Sequence, residues 1–197
     1  MNYLAHAYLS FNNDEIMVGN LISDFVKGKA KFNFPIGIQR GIALHRAIDT
    51  FTDTHPANKK AKDIFRPHYR LYCGAFVDVV YDHFLATDIS VFTDQTLRNF
   101  SEKVYSVLDM HFSELPARFA RMFPYMKSQN WLYNYSTLAG TEASFGGLVR
   151  RARYLDESNT AAFLFKQHYT LLHECYTSFF PDLQSFAYRA YQNLQSQ

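Results

Sequence analysis

The chain is predicted to be all-α, a helical bundle folded as one domain over residues 1–197. Three observations predict it. Apolar residues recur at three- and four-residue spacing, only eight glycines occur, and alternating strand patterns with paired turn signals are scarce. No internal repeat, linker or low-complexity tract divides the chain.

The elements follow in order. Residues 2–11 read as a short first helix carrying His6. Asp14 can cap a second helix, about 15–27, which Gly28 ends. On it Asp24 falls beside the stripe of Met17, Leu21 and Phe25, where a carboxylate is either desolvated or paired with a cation. Pro35 suits the start of a helix over 35–52, and Pro56 follows its end. A short basic helix over 57–66 is expected to stop at Pro67. A long helix over 68–87 packs through Phe76, Val79, Val80 and Phe84, with Asp78 and Asp82 one turn apart. Thr93 can cap a helix over 94–112, and Pro116 and Pro124 frame a short segment. Trp131 falls in a helix near 125–135. Helices over 138–154, 159–179 and 183–195 complete the chain, with Pro181 dividing the last two.

Composition narrows the class of protein. Apolar residues make up 48%, enough for a packed core. The 19 Phe and 14 Tyr are expected to fill it for the most part, with a remainder free to line a pocket or partner face. Cys73 and Cys175 have neither metal-site nor disulfide-framework spacing and read as buried free thiols. With no signal-peptide pattern and no long apolar run, a soluble cytoplasmic protein without a membrane partner is expected. Net charge is +2, yet residues 25–70 hold ten Lys/Arg against three acids, while 71–115 hold two against seven. Such a region can steer an anionic partner or be a solvated face. No nucleic-acid motif accompanies it, and nucleic acid is not expected as a partner.

The chemistry concentrates in the first 85 residues, where five of the eight histidines lie. His45 and Asp49 are four apart and share one helix face, with Cβ atoms roughly 6 Å apart. With His6, Asp24 and the adjacent pair Asp82-His83, three helices each offer His, Asp or both at apolar-flanked positions. Mixed nitrogen and oxygen donors suit Mn²⁺, Fe²⁺ or Zn²⁺, and carboxylate-rich sets also suit Mg²⁺. Metal-assisted hydrolysis is the expected chemistry. Asp82 and His83 point about 100° apart on a helix. They converge only if the helix passes edge-on; otherwise His83 is a supporting or proton-transfer group. Arg46, beside His45, and Lys27, near Asp24, are candidates either to pair with an anion or to lie on a solvated basic face. His55, His68, His111, His168 and His173 lack this context. No Gly-rich phosphate loop, nucleophile-elbow serine or His-Glu-x-x-His motif occurs.

Four blocks carry a resemblance: Met1-Asn-Tyr-Leu-Ala-His6, Gly19-Asn-Leu-Ile-Ser-Asp-Phe-Val-Lys-Gly28, Gly41-Ile-Ala-Leu-His-Arg-Ala-Ile-Asp-Thr-Phe-Thr-Asp53 and Val77-Asp-Val-Val-Tyr-Asp-His-Phe-Leu85. Weaker matches follow at Pro116-Ala-Arg-Phe119 and Gln129-Asn-Trp-Leu132. In these the chain resembles acyl carrier protein phosphodiesterases. The resemblance implies an all-helical fold distantly related to the HD phosphohydrolases. It also implies a divalent metal, Mn²⁺ first and Mg²⁺ or Fe²⁺ next. The implied reaction is hydrolysis of the phosphodiester joining 4'-phosphopantetheine to a serine of holo-acyl carrier protein. Carried over block by block, His6, Asp24, His45, Asp49, Asp82 and His83 are the implied site residues; His6, Asp24, His45, Asp49 and Asp82 are then the expected metal set, and Asp24, His83 and Arg46 the expected catalytic group. His45 is followed by Arg46, and the 82–83 pair runs Asp then His, a departure from ordinary HD enzymes. The basic stretch then gains a partner, because carrier proteins are acidic, with Lys59, Lys60 and Lys62 aiding encounter. Two other readings stand beside it: an HD-type hydrolase of a nucleotide or other small phosphodiester, and a non-catalytic helical module that binds a carrier protein.

Overall fold

The computed structural model describes residues 1–196, and all regular structure among them is helical. The first helix, α1 (Tyr3–Tyr8), is short and buried on most sides. Helix α2 (Asp14–Ile22) is capped by Asn13, whose side chain accepts from the Ile16 N–H, one residue ahead of the expected Asp14. It then tightens into a 3₁₀ turn, Ser23–Phe25, instead of continuing to residue 27. Gly28, at φ 54°, opens a second 3₁₀ segment, Gly28–Asn33, rather than closing the helix.

Helix α3 (Ile36–Thr54) starts after Pro35 and crosses α2 at very close range. Gly19 and Gly41 make that crossing possible. A Cβ on either would come within 2.8 Å of the other's Cα, so nothing larger fits. The crossing sets His45 of α3 against Asn20 of α2.

Helix α4 (Pro56–Tyr69) runs through Pro67, and α5 (Cys73–Thr87) begins only after a 3₁₀ turn at Arg70–Tyr72. The expected stop at Pro67 and the start at 68 are both displaced. Phe65 and Tyr69 are buried on either side of the proline, and that packing outweighs its lost N–H. Helix α6 (Asp94–Met110) carries the expected Thr93 cap, closed reciprocally by Thr96. Helix α7 (Ala117–Ser128) contains Pro124 instead of ending there, again between buried residues, Phe123 and Met126. Asn130, left-handed at φ 47°, separates it from the single-turn α8 (Trp131–Asn134), so the expected 125–135 helix is two elements.

Helix α9 (Leu138–Arg151) is followed by α10 (Asn159–Gln167) and the long α11 (Tyr169–Gln195). The last break therefore falls at His168, and Pro181 lies inside α11. Phe179, Phe180, Leu183 and Ala187 continue one buried face across that proline.

Phe and Tyr dominate the largest fully buried side chains, with Phe65, Phe76, Phe145 and Phe165 in a continuous column joining α4, α5, α9 and α10. Cys73 and Cys175 are buried free thiols. No helix among the described residues is long and apolar enough to cross a membrane.

Candidate metal centre and anion cleft

The buried amide of Asn20 organises the centre. Its Nδ2 donates to the His6 carbonyl at 2.8 Å and to Ser10 Oγ at 3.1 Å, which leaves Oδ1 as an acceptor. His6 Nδ1 lies 2.7 Å from that Oδ1, so Nδ1 carries the proton and Nε2 holds the lone pair. The Asn20 main-chain carbonyl lies 2.7 Å from His45 Nδ1 and accepts its proton in the same way. The two imidazoles stack, centroids 4.0 Å apart, with both Nε2 atoms turned to the carboxylates.

Asp49 stands across from them. Its Oδ1 is 3.3 Å from His6 Nε2 and its Oδ2 is 3.1 Å from His45 Nε2, while Asp24 Oδ1 lies 3.2 Å from His45 Nε2. His6 Nε2 and Asp49 Oδ1 are both buried and neither makes a hydrogen bond; the Met1 amine lies 3.5 Å from Oδ1. Two electron-rich atoms held face to face out of water repel each other unless a cation lies between them. His6, His45 and Asp49 each present a donor atom within 4.8 Å of the others, a spacing one ion can bridge. The donor set therefore fits a divalent cation, with two carboxylates to balance its charge.

Electrostatics follow this layout. Burial and the neighbouring His45 push the His6 imidazole down to about 4. Burial alone would also lower His45, but its hydrogen bonds to Asp24 and Asp49 outweigh that and lift it to about 9. Burial raises the Asp49 carboxyl, and the hydrogen bond from His45 together with the nearby Met1 amine overcomes it and holds the group well below the carboxylate range. The hydrogen bond to His45 lowers Asp24. The Met1 amine sits 3.1 Å from Asp78 and 3.5 Å from Asp49; burial opposes its charge, yet these carboxylates bring it up to about 10.

The predicted residues divide. His6, Asp24, His45 and Asp49 come together. Asp24 departs from its expected setting: the 3₁₀ turn rotates it off the apolar stripe, and its side chain is 75% exposed toward a cleft. Asp82 is fully buried and is not brought into the cluster, because its two oxygens accept from the Leu4 N–H at 2.7 Å and the Ala5 N–H at 3.2 Å. It anchors the N-terminus of α1, and burial raises it to about 7 against the pull of those donors. His83, on the next residue of α5, points elsewhere. Its Nδ1 donates to the Tyr135 carbonyl at 2.7 Å and its Nε2 accepts from the Tyr169 hydroxyl at 2.9 Å, among Phe84 and Phe165. Arg46 donates to the Val26 carbonyl at 3.1 Å and pins the strand-like exit from the 3₁₀ turn.

Beside the cluster opens a cleft of about 550 Å³, lined by Asp24 and Asp78 with Lys27, Arg118 and Arg151, and walled by Tyr3, Phe25 and Met122. Lys27 is the one basic residue among these that sequence reasoning placed near the site. Arg118 lay within the quoted Pro116-Ala-Arg-Phe119 block, and Asn20 within Gly19–Gly28, whereas Arg151 carried no local signal.

A nitrogen–oxygen donor cluster thus stands at the head of a cleft that carries three basic side chains and two carboxylates. Comparison with known proteins narrows the class. The family described as acyl carrier protein phosphodiesterase matches residues 1–183. The acyl carrier protein phosphodiesterase of Yersinia pestis is 33% identical over 184 residues, 93% of this chain and 95% of its own. That of Yersinia enterocolitica is 32% identical over 95% of this chain and 97% of its own, and that of Photorhabdus laumondii 30% identical over 92% of each. The chain belongs to the acyl carrier protein phosphodiesterase family. No solved structure matches it.

Proposed function

We propose that the protein hydrolyses the phosphodiester between 4'-phosphopantetheine and a serine of holo-acyl carrier protein, using a divalent metal, Mn²⁺ first, held by His6, His45 and Asp49 with Asp24 at its open side. The observation that carries the metal is the pair His6 Nε2 and Asp49 Oδ1, buried 3.3 Å apart with no hydrogen bond to either. The names of the relatives supply the substrate.

When bound, such an ion acidifies a water and acts as a Lewis acid toward a phosphoryl oxygen. The protein's own residues do the rest. Lys27, Arg118 and Arg151 line the cleft where the diester's charged oxygens would lie, and guanidinium groups suit them bidentately. Asp24, exposed to the cleft and held by His45, is placed to accept a hydrogen bond from the attacking water. The water oxygen bonds to phosphorus, the bond to the serine oxygen breaks, and that oxygen takes up a proton. Apo-carrier protein and free phosphopantetheine result.

The test is incubation with holo-acyl carrier protein in Mn²⁺ and in chelator, reading the carrier's mass. Loss of the phosphopantetheine mass only with metal is expected. Asp24→Ala should slow it by at least about a hundredfold in a folded protein. A carrier of unchanged mass, or turnover indifferent to chelation, overturns the reading.

A further inference from the structure

The cleft below the metal centre does not end at Arg151. A second cavity, about 120 Å³, shares Asn2, Tyr3 and Arg151 with it and runs along α9 to Asn134 and Gly140. A third opening, about 310 Å³, joins at Trp131, Gly147 and Arg151. Arg151 lines all three, so the cavities share walls in a row along the side of α9, from Asp24 and Asp78 at one end to Gly140 at the other.

The chemistry of this groove changes along its length. The head is charged. Beyond Arg151 no cavity-lining side chain but Arg150 carries charge; the walls are the rings of Tyr3 and Trp131, the amides of Asn2 and Asn134, and the Ser144 hydroxyl. The floor is low at Gly147, where an added Cβ would touch only the Arg150 guanidinium, at 3.8 Å. The groove closes at Gly140, packed against the Asn134 carbonyl so tightly that no Cβ fits. From Arg151 to Gly140 the helix rises about 16 Å.

We propose that this groove holds the pantetheine arm, with its phosphate at Arg151 and its thiol end toward Asn134 and Gly140. The assignment rests on the phosphodiesterase reading above. The arm is an uncharged chain of two amides separated by methylene groups, about as long as five extended residues, roughly 17 Å. It matches the groove in length, in its lack of charge beyond the phosphate and in its alternation of apolar and amide groups. Gly147 and Asn134 are then specificity-determining residues, which separate a phosphopantetheinyl diester from a small phosphodiester needing only the charged head.

Calorimetry with pantetheine, which lacks the phosphate, tests the groove without requiring turnover. Gly147→Trp adds bulk at the floor, where a Cβ has room; Ala139→Trp adds similar bulk on an exposed part of α9 outside the groove. Pantetheine should bind the wild type and Ala139→Trp alike, and bind Gly147→Trp at least about tenfold more weakly, with KM for the holo-carrier rising in step. No pantetheine binding by the wild type, or equal binding by Gly147→Trp, overturns the groove. Failure of the phosphodiesterase reading shows separately, as a holo-carrier whose mass the wild type leaves unchanged.

Discussion

Removing the Asp82 carboxylate separates an anchoring role from a ligating one. Its oxygens hold the Leu4 and Ala5 N–H groups at 2.7 and 3.2 Å in a fully buried setting. Asp82→Ala strands both donors at about 1–3 kcal/mol each, so a loss of about 3–5 kcal/mol is expected, a large part of a typical domain's stability. Asp82→Asn keeps one acceptor oxygen and should cost about half as much. Its effect on pH dependence is more telling. With the folded carboxyl raised to about 7 from its ordinary 3.8, the folded state binds this proton more tightly than the unfolded one. The stability this provides is full below about pH 4, is lost as pH climbs toward 7 and is constant above that. Urea unfolding of the wild type at stepped pH should show that fall, and Asp82→Asn should lack it. Added Mn²⁺ should still raise the melting temperature of Asp82→Asn, because the donor atoms of His6, His45 and Asp49 are untouched. A variant with wild-type stability and no response to Mn²⁺ would refute the anchoring role and make Asp82 a ligand.

Two other outcomes are expected. Gly41→Ala puts a methyl within 2.8 Å of Gly19 Cα and forces α2 and α3 apart, costing about 3 kcal/mol by urea unfolding; an unchanged midpoint would refute the close crossing. Lys59 and Lys60 are exposed on α4, whereas Lys62 is tied to Asp53 at 2.7 Å. Reversing the first two to Glu should raise KM for holo-acyl carrier protein about threefold to tenfold at low salt, with kcat intact, and the effect should fade as salt rises. Salt-independent kinetics identical to wild type would mean that α4 is not the docking face.

Local features of the chain were legible in the sequence. The helical class, the Thr93 cap and the one-face pairing of His45 with Asp49 all depend on neighbours within a turn. Proline misled wherever a buried face continued past it: Pro67, Pro124 and Pro181 each interrupt one backbone bond while flanking core residues keep the helix whole. The site was legible in its donors and not in its setting. Nothing near Asp82 in the chain shows that it serves backbone 78 residues away, since an anchoring carboxylate and a ligating one occupy the same kind of buried helical position. The same holds for the cleft, whose Arg118 and Arg151 arrive on α7 and α9, far along the chain from Asp24. The turn that exposes Asp24 begins at Ser23, inside a run that reads as continuous helix.

Asn20 has a consequence for selectivity. One residue grips both imidazoles, His6 through its side chain and His45 through its main chain, so the two rings move as a unit and neither can swing independently. A cation bound there would meet nitrogens already ordered, and little conformational entropy would be lost on capture. The same stiffness removes the freedom to open around a bulkier ion. With the spacing of both nitrogens held by a single residue, discrimination among ions of equal charge would fall to their radius and to how readily they shed water.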